Sequence, residues 1–508
     1  MSKLYSLEEL GSIISALKTR GKRIVHCHGV FDLLHIGHIR YFEQAKILGD
    51  ILVVTITPDI YVNKGPHRPI FTQNLRAEAV AALSSSDFVA INTSKTAVEA
   101  IHLLKPDIYV KGPDYKNKEK DYTGGIFKEE EAVNAVGGKL VFTDDITFSS
   151  TAIINQAFPI FPPQTVQYLS SFKNRHQIAD IVGAFENIKN KRVLVVGEAI
   201  IDKYIYCETL GKSGKEPVLV ARQLTQEIFA GGSIAVANHL AAFCKEVGVV
   251  TFLGRNRKGY ENYEAFIQKK LKSNVARHFL YTHSAPTIVK RRFVEIYPFQ
   301  KIFETYTLDD ELTHNDVQTL CDNLVELIPH YDVIVVADYG HGMMSKNAVD
   351  ILSSQSPFLA VNTQVNAGNH GFCTVSKYPR ADFVSVSEKE IRLEARNRQG
   401  PLRDIMLSVA EKLECPSLIV TRGGEGCVCY KKGEGFYDVP AFATRVVDRV
   451  GSGDALFAIS SLCVAEKMPM EAVGFIANAV GAEAVMIVGN KTTIERDGLL
   501  KHIESLLK

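Results

Sequence analysis

Short apolar runs alternate with helical patterns along this chain, and they do so twice, on either side of a proline break. In the first stretch, apolar runs at 23–27, 51–56, 88–91, 108–110 and 140–142 are separated by helical patterns at 39–48, 74–82 and 97–104. That spacing predicts parallel strands joined by crossover helices, a doubly wound sheet. Pro159, Pro162 and Pro163 interrupt the pattern, because proline fixes φ and removes a backbone donor. A helical stretch at 165–187 follows. Strands are then expected at 192–196, 333–337, 358–362, 383–386, 418–421 and 427–430, with β-rich stretches at 218–223 and 287–293 and a mostly helical last third. At 508 residues the chain exceeds one hydrophobic core. The expected domains are 1–157, a linker with a helix at 158–189, and 190–508.

Composition narrows the partners. Apolar residues make up 46% and charged residues 23%, the balance of a soluble globular protein. The net charge of +1 gives no global attraction to nucleic acid or an anionic membrane. No run approaches 18 apolar residues, which argues against a membrane span. Ser6-Leu7-Glu8-Glu9 reads as a capping box opening a helix, so the N-terminus is not expected to be a signal peptide. The nine cysteines are odd in number and lack C-x-x-C spacing, as expected of reduced thiols in a cytoplasmic protein.

Two glycine turns carry the chemistry. The first is Gly29-Val30-Phe31-Asp32-Leu33-Leu34-His35-Ile36-Gly37-His38, just past the first strand. Two imidazoles near a helix start, where free N–H groups attract phosphate, suit charge stabilisation on a transferring phosphoryl group. An isolated H-x-x-H is more often a surface pair or a metal site; the surrounding sequence decides here. The run resembles the signature of the cytidylyltransferase-like nucleotidyltransferases. Lys46 in Ala45-Lys46-Ile47-Leu48-Gly49-Asp50, Ser149-Ser150-Thr151 and Lys111-Gly112-Pro113-Asp114-Tyr115 resemble further family segments. The resemblance implies that His35, His38 and Lys46 are catalytic. It also implies that Gly29, Phe31, Ser149, Ser150 and Thr151 hold nucleotide, and that Arg76, Lys111 and Asp114 hold the acceptor.

The second turn is Asp448-Arg449-Val450-Gly451-Ser452-Gly453-Asp454-Ala455, ahead of a helical run at 455–464. A glycine turn into a helix offers an anion hole, and an aspartate there can take a proton from a hydroxyl. The segment resembles that of the ribokinase-like sugar kinases. So do Asp202 after the 192–196 strand, the pair Gly231-Gly232 with Asn238 beyond it, Asp338 at a strand end, and Thr421-Arg422-Gly423-Gly424-Glu425-Gly426. The resemblance implies Asp454 as base, with Gly451, Ser452 and Gly453 as its anion hole. It places Thr421, Gly423, Gly426 and Asn478 on ATP, and Asp202, Gly231, Gly232, Asn238 and Asp338 on the sugar. Lys290, Arg291 and Arg292 are candidates for a phosphate already on the sugar, with Arg291 as the named contact. Three positions depart from the family: Ser387 stands where an asparagine precedes the magnesium-linked Glu390, Arg449 replaces a threonine, and Ala235 replaces an asparagine.

The expected class is α/β: an N-terminal Rossmann-like parallel-sheet nucleotidyltransferase domain, then a larger ribokinase-like α/β domain with a small β-sheet lid. The pairing resembles the bifunctional heptose 7-phosphate kinase/heptose 1-phosphate adenylyltransferases of ADP-heptose synthesis, with the domain order reversed. That resemblance implies Mg²⁺ at both sites, ATP as co-substrate with CTP open for the first site, a sugar phosphate acceptor and a homo-oligomer. A cytidylyltransferase fused to another sugar or polyol kinase is the alternative. A third reading is a transferase carrying a silent sugar-binding domain.

Overall fold

The computed structural model describes residues 3–62, 64–65, 68–116, 124–144, 160–255, 261–309 and 312–508. The chain divides into two compact units. One comprises Met1–Pro162 with Asp497–Lys508, and the other Pro163–Arg496.

The first unit begins with a short strand β1 (Leu4–Tyr5) and helix α1 (Leu7–Thr19). The expected capping box is formed: Ser6 N and Oγ donate to Glu9 Oε2 at 2.9 and 2.8 Å, and Glu9 N donates to Ser6 Oγ at 3.3 Å. The alternation then runs through β2 (Ile24–Gly29), α2 (Ile36–Ile47), β3 (Ile51–Ile56), α3 (Gln73–Ala81), β4 (Phe88–Ile91), α4 (Val98–Leu104), β5 (Ile108–Lys111), α5 (Gly125–Ala135) and β6 (Lys139–Phe142). The six described strands form one all-parallel sheet in the order β1-β4-β3-β2-β5-β6. Strands buried on both faces need continuous apolar runs, and β3 (Ile-Leu-Val-Val-Thr-Ile) supplies one. The central β2 delivers Gly29 to the carboxyl edge of the sheet, where α/β folds bind ligands.

The second unit starts earlier than expected. Helices Pro163–Arg175 and Ile178–Ile188, read from sequence as part of a linker, lie within it. The first is tied down by Arg175 and His176, which both engage the carboxylate of Glu471, and by Phe172, stacked on Phe475 at 4.1 Å. An amphipathic helix with a buried aromatic edge gains more by packing than by spanning solvent. That is why the boundary falls at the prolines.

Its main sheet has nine described strands: β7 (Arg192–Gly197), β10 (Glu246–Gly254), β11 (Val275–Thr282), β14 (Val333–Asp338), β15 (Leu359–Thr363), β16 (Phe383–Ser387), β17 (Ser417–Thr421), β18 (Cys427–Lys431) and β19 (Gly435–Val439). Their order is β11-β10-β7-β14-β15-β16-β17-β18-β19, parallel as far as β17 and antiparallel beyond it. A second, four-stranded sheet in the order β13-β12-β8-β9 uses β8 (Ala199–Lys212), β9 (Leu219–Gly232), β12 (Ile288–Glu295) and β13 (Gln300–Thr307). The sequence signalled only parts of β9 and β12. The long ends of β8 and β9 are exposed and mix polar residues with Leu210, Leu219, Val220 and Leu224, and no periodicity marks them.

All nine cysteines are buried and free. No helix among the described residues is long and apolar enough to cross a membrane. Phe172 and Phe475 are both fully buried. Phe172→Ala should therefore lower the stability of the second unit by ~3–5 kcal/mol, read as a lowered denaturant midpoint for that unit in the full chain.

Candidate functional sites

In the first unit, His35 caps α2. Its Nδ1 accepts the N–H of Gly37 at 3.1 Å, which leaves the ring proton on Nε2. The rings of His35 and His38 stack at 4.0 Å, and Phe31 meets His38 edge-on at 5.6 Å. Burial, then the neighbouring His35 and the Lys64 charge, push His38 down to about 3. Burial also lowers His35. Both imidazoles are thus neutral donors at physiological pH, set at a helix start whose N–H groups and dipole favour an anion. Gly29 leaves room for the Phe31 ring, 2.9 Å from where a Cβ would stand. Asp32 accepts the N–H groups of Ile70 and Phe71 at 2.8 and 3.1 Å, so it anchors the loop beyond β3.

Three expected residues of this unit do other work. Lys46 lies in the last turn of α2, about 12 Å along the axis from His38 at 1.5 Å per residue. Its ammonium bonds the Asp50 carbonyl at 2.6 Å and pairs with Asp87. These contacts fix the helix end. Arg76 is 1% exposed, with its guanidinium spent on the carbonyls of Phe71, Val30 and Thr57 and on Asp59. It straps the loops around the site. Lys111 is buried and pairs with Glu129 at 2.8 Å. The side chain of Asp114 and residues Ser149, Ser150 and Thr151 lie outside the described residues.

The second unit carries a cleft of about 220 Å³ between the ends of the two sheets, lined by Asp202, Gly232, Lys290, Arg292, Tyr339, Gln364, Arg449, Gly451, Gly453, Asp454 and Asn490. Asp454 stands in the first turn of helix Ser452–Ala465. Burial pushes it up to about 6, aided by the nearby Asp202 charge, while the Tyr339 hydroxyl, then Lys290 and a hydrogen bond from Gln364, pull the other way. Gly451 caps the helix at φ +81°, and a Cβ there would fall 2.2 Å from Asn490 Oδ1, so only glycine fits. No atom lies within 4 Å of a Cβ on Gly453, which leaves the face of that turn open to a ligand.

The Gly231-Gly232 pair also has a mechanical reason. A Cβ on Gly231 would sit 2.2 Å from Asp202 Oδ2, and one on Gly232, at φ +61°, 2.3 Å from the Glu198 carbonyl. Bare backbone lets β9 close against Asp202. That carboxylate pairs with Arg292, which also holds Glu304 at 3.0 Å. Parallel pairing of β12 with β8 sets Lys290 opposite Asp202. Side chains alternate along a strand, so Lys290 and Arg292 face the cleft while Arg291 turns away and donates to Thr307 Oγ1 at 2.6 Å. Of the three basic residues expected at a phosphate, Lys290 and Arg292 line the cleft and Arg291 does not.

Three further expected residues have protein partners in the structure. Asn238 spends both ends of its amide on the Lys270 carbonyl and the Lys272 N–H, at 3.1 and 2.9 Å. Asp338 is fully buried and held by Lys377, the Tyr378 hydroxyl and Gly340 N, so it braces the turn after β14. Asn478 is likewise occupied, donating to Cys427 Sγ and the Gly474 carbonyl at 3.0 Å each. Thr421 ends β17, and the turn after it closes with Arg422 N on the Gly426 carbonyl at 2.8 Å. A Cβ on Gly423 would meet nothing within 4 Å, whereas Gly426 is packed against the Val439 carbonyl. Ser387, in the asparagine position, caps helix Glu388–Glu394, and Glu390 accepts the N–H groups of Ser387 and Val365 at 2.7 and 3.0 Å. Among the described residues no three His, Cys, Asp or Glu side chains gather as a metal site. The sequence missed Gln364 and Asn490, because neither lies in a recognisable motif and tertiary packing alone brings them to Asp454 and Gly451.

A glycine-capped helix start carrying a buried carboxylate, faced by a cation-lined sheet, defines a small-molecule kinase of the sugar-kinase class. The chain belongs to the pfkB family of carbohydrate kinases, whose match spans residues 190–496. Residues 26–156 match the cytidylyltransferase-like family. Among curated proteins, the bifunctional protein HldE of Nitratiruptor sp. is 43% identical over 155 residues, 30% of this chain and 31% of that protein. HldE of Geobacter metallireducens is 44% identical over 155 residues, 30% of each. The chain thus spans about a third of the length of these relatives. Escherichia coli phosphofructokinase-2 in complex with potassium aligns over 63% of this chain and all of that one, with a TM-score of 0.51 and 15% identity. The same enzyme with fructose-6-phosphate aligns over 63% and 100%, with a TM-score of 0.50 and 15% identity. At that identity the likeness concerns the fold, a ribokinase-like α/β unit.

The raised Asp454 carboxyl has a cost in stability. Between its ordinary value of 3.8 and about 6 the native state holds a proton that the unfolded chain has released. Stability contributed by this group is therefore full below 3.8 and lost as pH rises through about 6. Asp454→Asn should raise the thermal midpoint of the second unit at pH 7.5, and that gain should vanish below pH 4 in scanning calorimetry.

Proposed function

We propose that the second unit phosphorylates a sugar phosphate with ATP, and that the first unit transfers a nucleotidyl group to the resulting sugar 1-phosphate and releases pyrophosphate. A heptose 7-phosphate phosphorylated at its anomeric hydroxyl, followed by adenylyl transfer from ATP, is the specific form. The observation that carries the reading is the placement of Asp454 behind the open Gly451-Ser452-Gly453 turn, within a cleft whose cations suit an anionic acceptor.

In the phosphorylation step the acceptor hydroxyl loses its proton to Asp454 as its oxygen bonds to the γ-phosphorus. The bond to the departing ADP breaks, and the turn's N–H groups face the charge on the transferring oxygens. Lys290 and Arg292 hold the acceptor's existing phosphate, and Arg449 adds a cation at the mouth of the cleft. In the second step the 1-phosphate oxygen attacks the α-phosphorus and pyrophosphate leaves. Neutral His35 and His38 donate to the α-phosphate oxygens without a covalent intermediate. Magnesium suits both steps as a partner of the triphosphate. Glu390, already bonded to two backbone N–H groups, fits an ion held mainly by phosphate rather than by a protein cage. When bound, such an ion neutralises triphosphate charge. A homo-oligomer and a cytoplasmic location accord with this reading.

The test is to incubate the full chain with each of ATP, CTP, GTP and UTP and heptose 1-phosphate. Pyrophosphate release only with CTP would replace the adenylyl assignment with the cytidylyl one. His38→Ala should slow nucleotidyl transfer by on the order of 10²-fold or more while sugar-dependent ADP formation is kept, and Asp454→Asn should do the reverse. Joint loss of both activities in either variant would contradict two separate sites. If the unmodified chain forms no ADP with any sugar phosphate, the second unit is a silent sugar-binding domain.

A further inference from the structure

The residue after β15 reaches across the cleft to the proposed base. Gln364 Nε2 donates to Asp454 Oδ1 at 2.9 Å. Its backbone is fixed from both sides: Gln364 N donates to the Asp338 carbonyl at 2.9 Å, and the Gln364 carbonyl accepts from Asn369 Nδ2 at 2.8 Å. Asn366 and Asn369 both donate to the Tyr339 carbonyl, at 2.7 and 3.1 Å, and Asn366 Oδ1 gathers the N–H groups of Gly368 and Asn369. The loop that follows Gln364 is thus self-bonded and pinned to the strand end carrying Tyr339. The next residue holds the other acidic group of the site, because Val365 N donates to Glu390 Oε1 at 3.0 Å. Two consecutive residues therefore grip Asp454 and Glu390.

We propose that Gln364 is a positioning residue for phosphoryl transfer: by occupying Oδ1 of Asp454 it turns Oδ2 toward the acceptor hydroxyl and favours the ionised carboxylate. This rests on Asp454 being the base. A carboxylate buried beside another needs such a donor, because burial and the Asp202 charge both favour its protonated form. The charged and titratable groups facing Asp454 are Asp202 from β8, Lys290 and Arg292 from β12, Tyr339 beyond β14, and Arg449 from the glycine turn. Gln364 and the Tyr339 hydroxyl are the uncharged groups set against the carboxylate, and Gln364 makes the 2.9 Å bond to Oδ1 without neutralising it.

The experiment is the pH dependence of kcat for sugar-dependent ADP formation by the full chain, with Gln364→Ala, Gln364→Glu and Asp454→Asn beside the unmodified protein. The unmodified acid limb should fall near pH 6. Gln364→Ala removes one hydrogen bond to a charged acceptor, so its acid limb should move up by about one pH unit. KM for the sugar should be unchanged, as should nucleotidyl transfer in the same preparation. Gln364→Glu keeps the shape and adds a like charge, so its limb should move at least as far. It carries the test if Gln364→Ala proves unstable. An acid limb and kcat unchanged in both Gln364 variants, with Asp454→Asn inactive, would overturn the proposal. Full activity in Asp454→Asn would instead remove the base assignment on which it stands.

Discussion

The unpaired N–H groups at the start of a helix are the constraint around which both candidate sites are built. A helix start cannot satisfy these donors internally. It takes them from a cap, or it leaves them for a ligand. At α2 the cap is an imidazole, so the group that closes the helix also belongs to the phosphate-facing pair. At Ser452–Ala465 the cap is a glycine at φ +81°, with no side chain to consume the donors. Each helix follows a sheet's carboxyl edge or faces one, and that depends on continuous apolar runs long enough to bury a parallel sheet.

The second unit concentrates carboxylates where water is scarce, and it manages them differently. Asp202 is balanced by Arg292 and Asp338 by Lys377, each in direct contact. Glu198, beside Asp338, accepts only backbone N–H groups, from Tyr339 and His341 at 3.0 Å each, and burial pushes it up to about 7. Asp454 has the Gln364 amide at 2.9 Å and the Tyr339 hydroxyl beside it, both neutral, and no ion pair among the described residues. A buried charge left partly compensated is costly to stability and useful for moving a proton. The paired carboxylates set the shape of the cleft, and the underpaired one supplies its chemistry.

Much of this was legible in order. The strand positions at 51–56 and 88–91, the capping box at Ser6 and the helix starts at His35 and Gly451 follow from periodicity and turn chemistry. Proximity to a motif in sequence does not say which way a polar side chain turns. Lys46, Arg76 and Asn238 sit close to motifs in sequence, yet each spends its donors on nearby backbone or on an ion pair. Arg291 turns away by strand parity, since its neighbours Lys290 and Arg292 turn to the cleft. The linker helices belong to the second unit because Phe172 packs on Phe475, a long-range contact that the prolines do not signal.

The sequence by itself determined the parallel sheet of the first unit, the strand–helix alternation of the second, the division near the prolines and the two glycine turns, because these rest on local spacing and on backbone conformations that few residues adopt. Tertiary structure alone decided which polar side chains face a ligand. The hydrogen bond of Gln364 to Asp454, 90 residues away along the chain, and the pairing that turns Lys290 inward depend on long-range packing, and no local pattern encodes them.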